Sequence, residues 1–295
     1  MAVQELKEFN YLCTVNYKIA ILDMYQGHEN QGMRGIKDLI NRFAIENNIP
    51  LSYEVFDLRS LCEIPDINNF DVFISTGGPG SPIDSEHSDW EKKFFNLIDA
   101  IQKNNDTEEN KKYLFLICHS FQVFCRHYDF GVVCERKSPS FGVLPAHKTQ
   151  SGLQDEIFNK LKDPFYIVDS REWQVIQPNS NKFFETGAEV LVLEKERPTI
   201  PLERALMAVR FSDEIYGTQF HPEADGPGMR HYLLTDEKKK TQVIEQYGED
   251  KYLEMIDKLD DEDKIILTRK EILPNFLLKK FKGSEANLKQ EKALK

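Results

Sequence analysis

Short apolar runs alternate along the first half of the chain with segments in which apolar residues recur every three or four positions. Residues 17–23 form the first run and lead into a polar loop through Gly32. From Met33 to Asn47, Ile36, Leu39, Ile40, Phe43 and Ala44 keep helical spacing. Leu51, Tyr53 and Val55 alternate with polar residues, as in a strand. A third strand at 70–75 runs straight into Thr76-Gly-Gly-Pro-Gly80. Ser88 and Glu91 have capping-box spacing. The helix they open carries Trp90, Phe94, Phe95, Leu97, Ile98 and Ile101 on one side. A buried-type run, 113–117, then stops at Cys118, and an amphipathic segment follows over 121–128. Strands alternating with helices predict an α/β fold built on a doubly wound, mostly parallel sheet.

The middle of the chain breaks this rhythm. Runs at 131–134, 165–168, 173–176, 188–193, 205–211 and 215–219 are short strands with few helices between them, so antiparallel additions to the sheet are expected. After about Arg230 the chain becomes charge-rich with helical patterning, and Pro274 marks a helix break or start. The expected organisation is one domain over 1–233 and a helical C-terminal extension over 234–295, with a frayed or disordered tail from Gly283.

Composition narrows the picture further. The chain has 295 residues, 40% of them hydrophobic, enough for one large domain or a domain with an appendage. A net charge of -11 argues against nucleic acid and anionic membranes as partners. The apolar runs are too short to span a bilayer. The charged start of the chain has no apolar h-region, so no secretory signal is expected. The five cysteines, Cys13, Cys62, Cys118, Cys125 and Cys134, are scattered and include no CxxC pair. Neither a disulfide framework nor a zinc site is suggested, no cofactor is called for, and a reducing cytoplasm fits best.

Three stretches carry candidate chemistry. Cys118 sits at a strand–turn–helix junction, and the carboxyl ends of strands are where open α/β sheets bind ligands. The N-terminus of the following helix favours a thiolate. The competing reading is a buried structural cysteine. In Tyr216-Gly-Thr-Gln-Phe-His221-Pro-Glu223, proline holds His221 extended, and residues two apart lie on one side of an extended chain. Glu223 can therefore reach the ring of His221 and orient it as a base, unless both belong to a plain strand-end turn. In Gly77-Gly-Pro-Gly80, clustered glycines free backbone N–H groups to face a developing oxyanion, or simply make a tight turn. No G-x-x-x-x-G-K-[ST] phosphate loop is present.

In this order, the Gly-Gly-Pro-Gly loop, the strand-end cysteine and the Phe-His-Pro-Glu end resemble the class I glutamine amidotransferase family over residues 17–228. The chain looks closest to free-standing, GMP-synthase-like members. Gln122, four after the cysteine, also matches, as do Ser170 and Val175 in the intervening segment. The family elbow reads G-x-C-x-G, whereas this chain has Leu116, Cys118 and Ser120. The resemblance implies a Cys118–His221–Glu223 triad acting on L-glutamine through a glutamyl thioester. It also implies oxyanion and substrate contacts from Gly78, Gly80, His119 (through its backbone N–H), Gln122 and Ser170. Ammonia would pass to a separate synthetase partner, since no Ser-Gly-Gly-Val-Asp-Ser-like nucleotide loop occurs here. Two alternatives stand beside this: a γ-glutamyl hydrolase or peptidase on the same triad, and a non-catalytic regulatory relative with an altered elbow.

Overall fold

The computed structural model describes residues 17–28, 30–196 and 203–293. Five strands run parallel in the order β2 (Leu51–Asp57), β1 (Tyr17–Asp23), β3 (Val72–Ser75), β4 (Tyr113–Ile117), β9 (Ile215–Thr218). Beyond β9 the sheet continues antiparallel through β8 (Leu206–Arg210), β7 (Glu189–Glu194), β5 (Val132–Lys148) and β6 (Phe165–Ile176). This is the doubly wound, mostly parallel sheet with antiparallel additions that the hydrophobic pattern predicts.

Side-chain alternation along the central strands sorts the core into two layers. Ile19, Ile21, Val72, Ile74, Phe115 and Ile117 face α1 (Gln31–Asn47), which contributes Ile36, Leu39, Ile40 and Phe43. Ala20, Leu22, Phe73, Leu114 and Leu116 face α2 (Asp89–Thr107) and α3 (His119–His127) on the other side. Helix α1 begins two residues before the apolar periodicity does. The Asn30 side chain accepts from the Met33 N–H at 2.8 Å and caps it there. Ser88 caps α2 as its capping-box spacing predicts.

The antiparallel half departs from the expected string of short strands. The runs at 165–168 and 173–176 are one twelve-residue strand, β6, and the run at 131–134 is only the start of the seventeen-residue β5. The two pair along their length with a register shift between Glu135 and Ser140. Polar residues 136–139 hide the strand from a period-two reading, because the bulge breaks the alternation there. Two short helices also escape the pattern, α4 (Gln150–Gln154) and α5 (Ser180–Thr186).

Past Glu223 the chain is helical: α6 (Gly226–Thr235), α7 (Glu237–Tyr247), α8 (Glu249–Asp257) and α9 (Leu267–Ala293). Pro274 lies inside α9 rather than at a break or a start. Helix α9 places Ile272, Leu273, Phe276, Leu277 and Phe281 in the same apolar layer as α1. Phe276 packs edge-on against Phe115 of β4 and Tyr216 of β9, with ring centroids 5.0 and 5.9 Å apart. Helices α6 to α8 cover the antiparallel half. Met229, Leu233, Val243, Tyr252 and Met255 meet Phe141, Val143 and Val168 there. Among the described residues, no helix is long and apolar enough to cross a membrane.

Candidate active site

The chain turns sharply at Cys118, between β4 and α3. Its backbone has φ 51° and ψ -98°, a conformation in which a non-glycine residue is strained and needs support from its surroundings. The surroundings supply it. The Cys118 N–H donates to Thr218 O at 2.7 Å, and Cys118 O accepts from Gln122 N–H at 3.0 Å. Ser120, where the family elbow has glycine, is fully buried. Its hydroxyl accepts from Ile117 N–H at 2.8 Å and stands 2.9 Å from Ser75 O and 3.0 Å from Ile117 O, to one of which it donates. The hydroxyl thus satisfies the last amide of β4 and ties that strand to β3. Leu116 is accommodated sideways. Its neighbour on β9 is Gly217, where a Cβ would come within 2.6 Å of the Phe121 ring and 3.4 Å of Leu116 Cβ. Bulk at 116 is matched by its absence at 217.

His221 approaches from the end of β9. Its N–H donates to Val168 O at 2.9 Å, which anchors the extended segment to β6. Its ring Nδ1 lies 2.8 Å from Glu223 Oε1. Glu223 is fully buried, and its second oxygen has no hydrogen-bond partner among the described residues. Burial opposes charge on His221, yet the Glu223 carboxylate and the Cys118 sulfur hold its pKa well above the ordinary 6.5. Gly77 is the reason the ring fits. A Cβ there would lie 2.9 Å from His221 Cε1 and 3.5 Å from Cys118 Cβ.

The remaining expected residues fall around the sulfur. Gly78 and Gly80 lie on the loop after β3. A Cβ at Gly78 would come within 2.5 Å of Met24 O, and Gly80 has φ +87°. Pro79 O on this loop accepts from Arg59 at 2.7 Å, and Pro82 O accepts from Arg126. Gln122 donates to Trp173 O at 3.2 Å. Ser170 meets the thiol through its backbone oxygen, 3.8 Å from Cys118 Sγ, rather than through its hydroxyl. His119 opens α3, so its N–H stands at the helix N-terminus. Burial, with Arg59 and Arg126 nearby, pushes its ring down to about 3, so it stays neutral, and its Nε2 has no partner among the described residues.

Three residues that the motifs do not single out also belong to this site. Gln219 Nε2 lies 3.8 Å from Cys118 Sγ. It is two before His221, so the spacing that pairs His221 with Glu223 was a signal for it too. Tyr25 follows β1 directly, at the carboxyl end of a strand, and burial together with Glu223 and Cys118 raises its pKa. Lys239 comes from α7, with its ammonium 4.2 Å from the Phe141 ring centroid. Nothing in the local sequence marks it.

Two cavities meet at Cys118. One, of about 320 Å³, is bounded by His221, Tyr25, Met229 and Tyr232. The other, of about 280 Å³, is bounded by Gly80, Gln122, Glu172 and Trp173. Gly78, Phe141, Ser170 and Lys239 line both.

Comparison with known proteins accords with this fold. A glutamine amidotransferase from Thermotoga maritima superposes with a TM-score of 0.64 at 14% identity, over 90% of this chain and 98% of that one. One from Methylobacillus flagellatus gives 0.60 at 15% identity, over 91% and 94%. The glutaminase domain of a Trypanosoma brucei CTPS, solved with bound acivicin, gives 0.50 at 16% identity, over 70% and 86%. At such identities the likeness is one of fold. No curated protein matches the chain. The sequence model of class-I glutamine amidotransferases matches residues 33–240, which is well over half of the chain. On that match, the chain belongs to the class-I glutamine amidotransferase family.

Proposed function

We propose that the protein is a cysteine-dependent glutaminase that releases ammonia from L-glutamine. The observation carrying this is the 2.8 Å His221 Nδ1–Glu223 Oε1 contact, beside a cysteine held at a strained strand–helix turn. The Cys118 thiolate attacks the side-chain amide carbon. The N–H groups of His119 and of the Gly78–Gly80 loop receive the oxyanion, each such donor being worth roughly 3 kcal/mol in the transition state. The His221 imidazolium gives its proton to the departing ammonia. Neutral His221 then takes a proton from water, which cleaves the glutamyl thioester and yields L-glutamate. Glu223 keeps the ring in the required tautomer and steadies its charged form.

Ammonia has no acceptor site here of the Ser-Gly-Gly-Val-Asp-Ser nucleotide-loop type. A synthetase partner is the expected user of the ammonia. Cys118→Ser is expected to abolish ammonia release from glutamine while preserving the circular-dichroism spectrum and thermal midpoint. Iodoacetamide is expected to label Cys118 faster than the buried Cys125 near neutral pH. More than trace activity in the serine variant would remove Cys118 from the role of nucleophile.

A further inference from the structure

The two cavities at Cys118 are chemically unlike, and the position of His221 says what each would receive. In amide cleavage by a cysteine the acyl group lies over the oxyanion donors, and the leaving nitrogen must face the group that protonates it. His221 borders the 320 Å³ cavity and not the 280 Å³ one. The loop residues Gly78 and Pro79 border both cavities, and the smaller one adds Gly80, Gln122 and Glu172, a polar setting suited to a γ-glutamyl group with its α-ammonium. The larger cavity is therefore the leaving-group side.

Ammonia needs no such space. A cavity of about 150 Å³ already holds benzene, and this one is roughly twice as large. Its walls include Tyr25, Phe141, Val168, Ala224, Met229 and Tyr232. Among the described residues, most of the charge on its walls is committed, the second Glu223 oxygen excepted. Glu223 is paired with His221, and Asp225 accepts from Arg34 at 2.5 Å and from Gly228 N–H at 2.8 Å. The Lys239 ammonium rests over Phe141. Beyond the polar edge at His28, Asn30, Gln31 and Glu223, the described walls of the larger cavity are mostly apolar, and a hydrophobic leaving group would desolvate them.

We infer that the Cys118 site also hydrolyses γ-glutamyl amides of apolar or aromatic primary amines. This rests on the triad reading above. Cys118 Sγ bonds to the γ-carbonyl carbon, the C–N bond breaks, and the His221 proton goes to the leaving nitrogen, freeing the neutral amine. Water then cleaves the thioester to L-glutamate and regenerates the thiolate–imidazolium pair. No other reactant is required.

The test uses the full chain with L-glutamine and L-γ-glutamyl-phenethylamide, following glutamate release from both and phenethylamine from the second. The amide is expected to turn over with kcat/KM at least equal to that for glutamine. Met229→Trp, which fills the larger cavity, is expected to lower the amide-to-glutamine ratio of kcat/KM at least tenfold. Ala224→Leu narrows the same cavity from another side and is expected to move the ratio the same way, should the tryptophan variant fold poorly. Glutamine hydrolysis without amide hydrolysis would overturn the inference and spare the triad reading. So would a ratio indifferent to both variants. If neither substrate is cleaved and Cys118 resists iodoacetamide, the triad reading falls and the inference with it.

Discussion

Cys118 and Ser120 show how the elbow stands without the glycines of its family. A positive φ at a non-glycine residue costs on the order of 1–3 kcal/mol, and the buried Ser120 hydroxyl holds the turn by accepting from Ile117 N–H and donating to the carbonyl of Ser75 or of Ile117. Ser120→Ala removes both bonds of this buried hydroxyl, a loss of roughly 1–3 kcal/mol. The expected outcome is a thermal midpoint several degrees lower, with turnover falling as Cys118 loses its fixed angle. Ser120→Gly is expected to lose turnover less, because glycine relaxes the turn itself. At His221 the expectation concerns pH. Its pKa is raised in the folded protein, so its contribution to stability is complete below about pH 6.5 and is lost as pH rises through the folded value. The alkaline limb of kcat/KM on glutamine should follow that raised pKa, since the imidazolium donates the proton. Glu223→Gln still orients the ring but removes the carboxylate's charge. Its alkaline limb is expected to move toward lower pH, and its kcat to fall less than that of His221→Ala. An unmoved limb would mean that Glu223 does not set the charge of His221. The residues of this site were legible where chain-local spacing carries them: the strand-end cysteine, the glycine loop, and His221 with Glu223 two apart. Lys239 was not, because only tertiary packing brings α7 over Phe141.

At the level of elements, the parallel half of the sheet could be read from the sequence because its inner strands β1, β3, β4 and β9 are largely buried on both faces, the edge strand β2 alternates, and each helix has one apolar side. Ile19 and Ile21 face α1 while Ala20 and Leu22 face α2 and α3, so the alternation is written in uniformly apolar residues bounded by turns. The β5–β6 hairpin was not legible as one unit. Its register shift between Glu135 and Ser140 breaks the period, and the adjoining residues are polar. Gly142, with φ +130°, marks another constraint on this strand. A Cβ there would come within 2.7 Å of Met255 Sδ on α8. Gly142→Ala is therefore strained twice, by backbone and by contact. It is expected to destabilise the protein by roughly 1–3 kcal/mol, read as a lowered denaturation midpoint. Gly187, with φ +70° and nothing near its missing side chain, offers the comparison. Gly187→Ala should cost less, since only the backbone term remains.

For the molecule as a whole, the helical C-terminal segment closes the sheet rather than hanging from it. Five residues of α9, Ile272, Leu273, Phe276, Leu277 and Phe281, are buried in the layer that also holds α1. Tyr17 and Phe281 stack edge-on with ring centroids 4.6 Å apart, so the start of β1 and the middle of α9 meet. Polar contacts follow the same seam. Arg269 donates to Glu223 O at 3.1 Å and pairs with Asp38 at 2.9 Å, which ties α9 to the backbone of Glu223. Burying such side chains is worth roughly 1.5–3 kcal/mol each, so the five together rival the 5–15 kcal/mol of a typical domain's entire stability. Truncation after Leu234 removes α7 to α9 and uncovers Phe115, Ile117 and Tyr216. The expected product is insoluble or aggregated, without a cooperative thermal transition and without glutaminase activity. Phe276→Ala tests the same packing within the full chain, where a cavity beside Phe115 and Tyr216 is expected to cost roughly 3–5 kcal/mol. A truncated fragment that stays soluble, melts at the same temperature and still hydrolyses glutamine would show that the segment serves to dock a partner and not to complete the core.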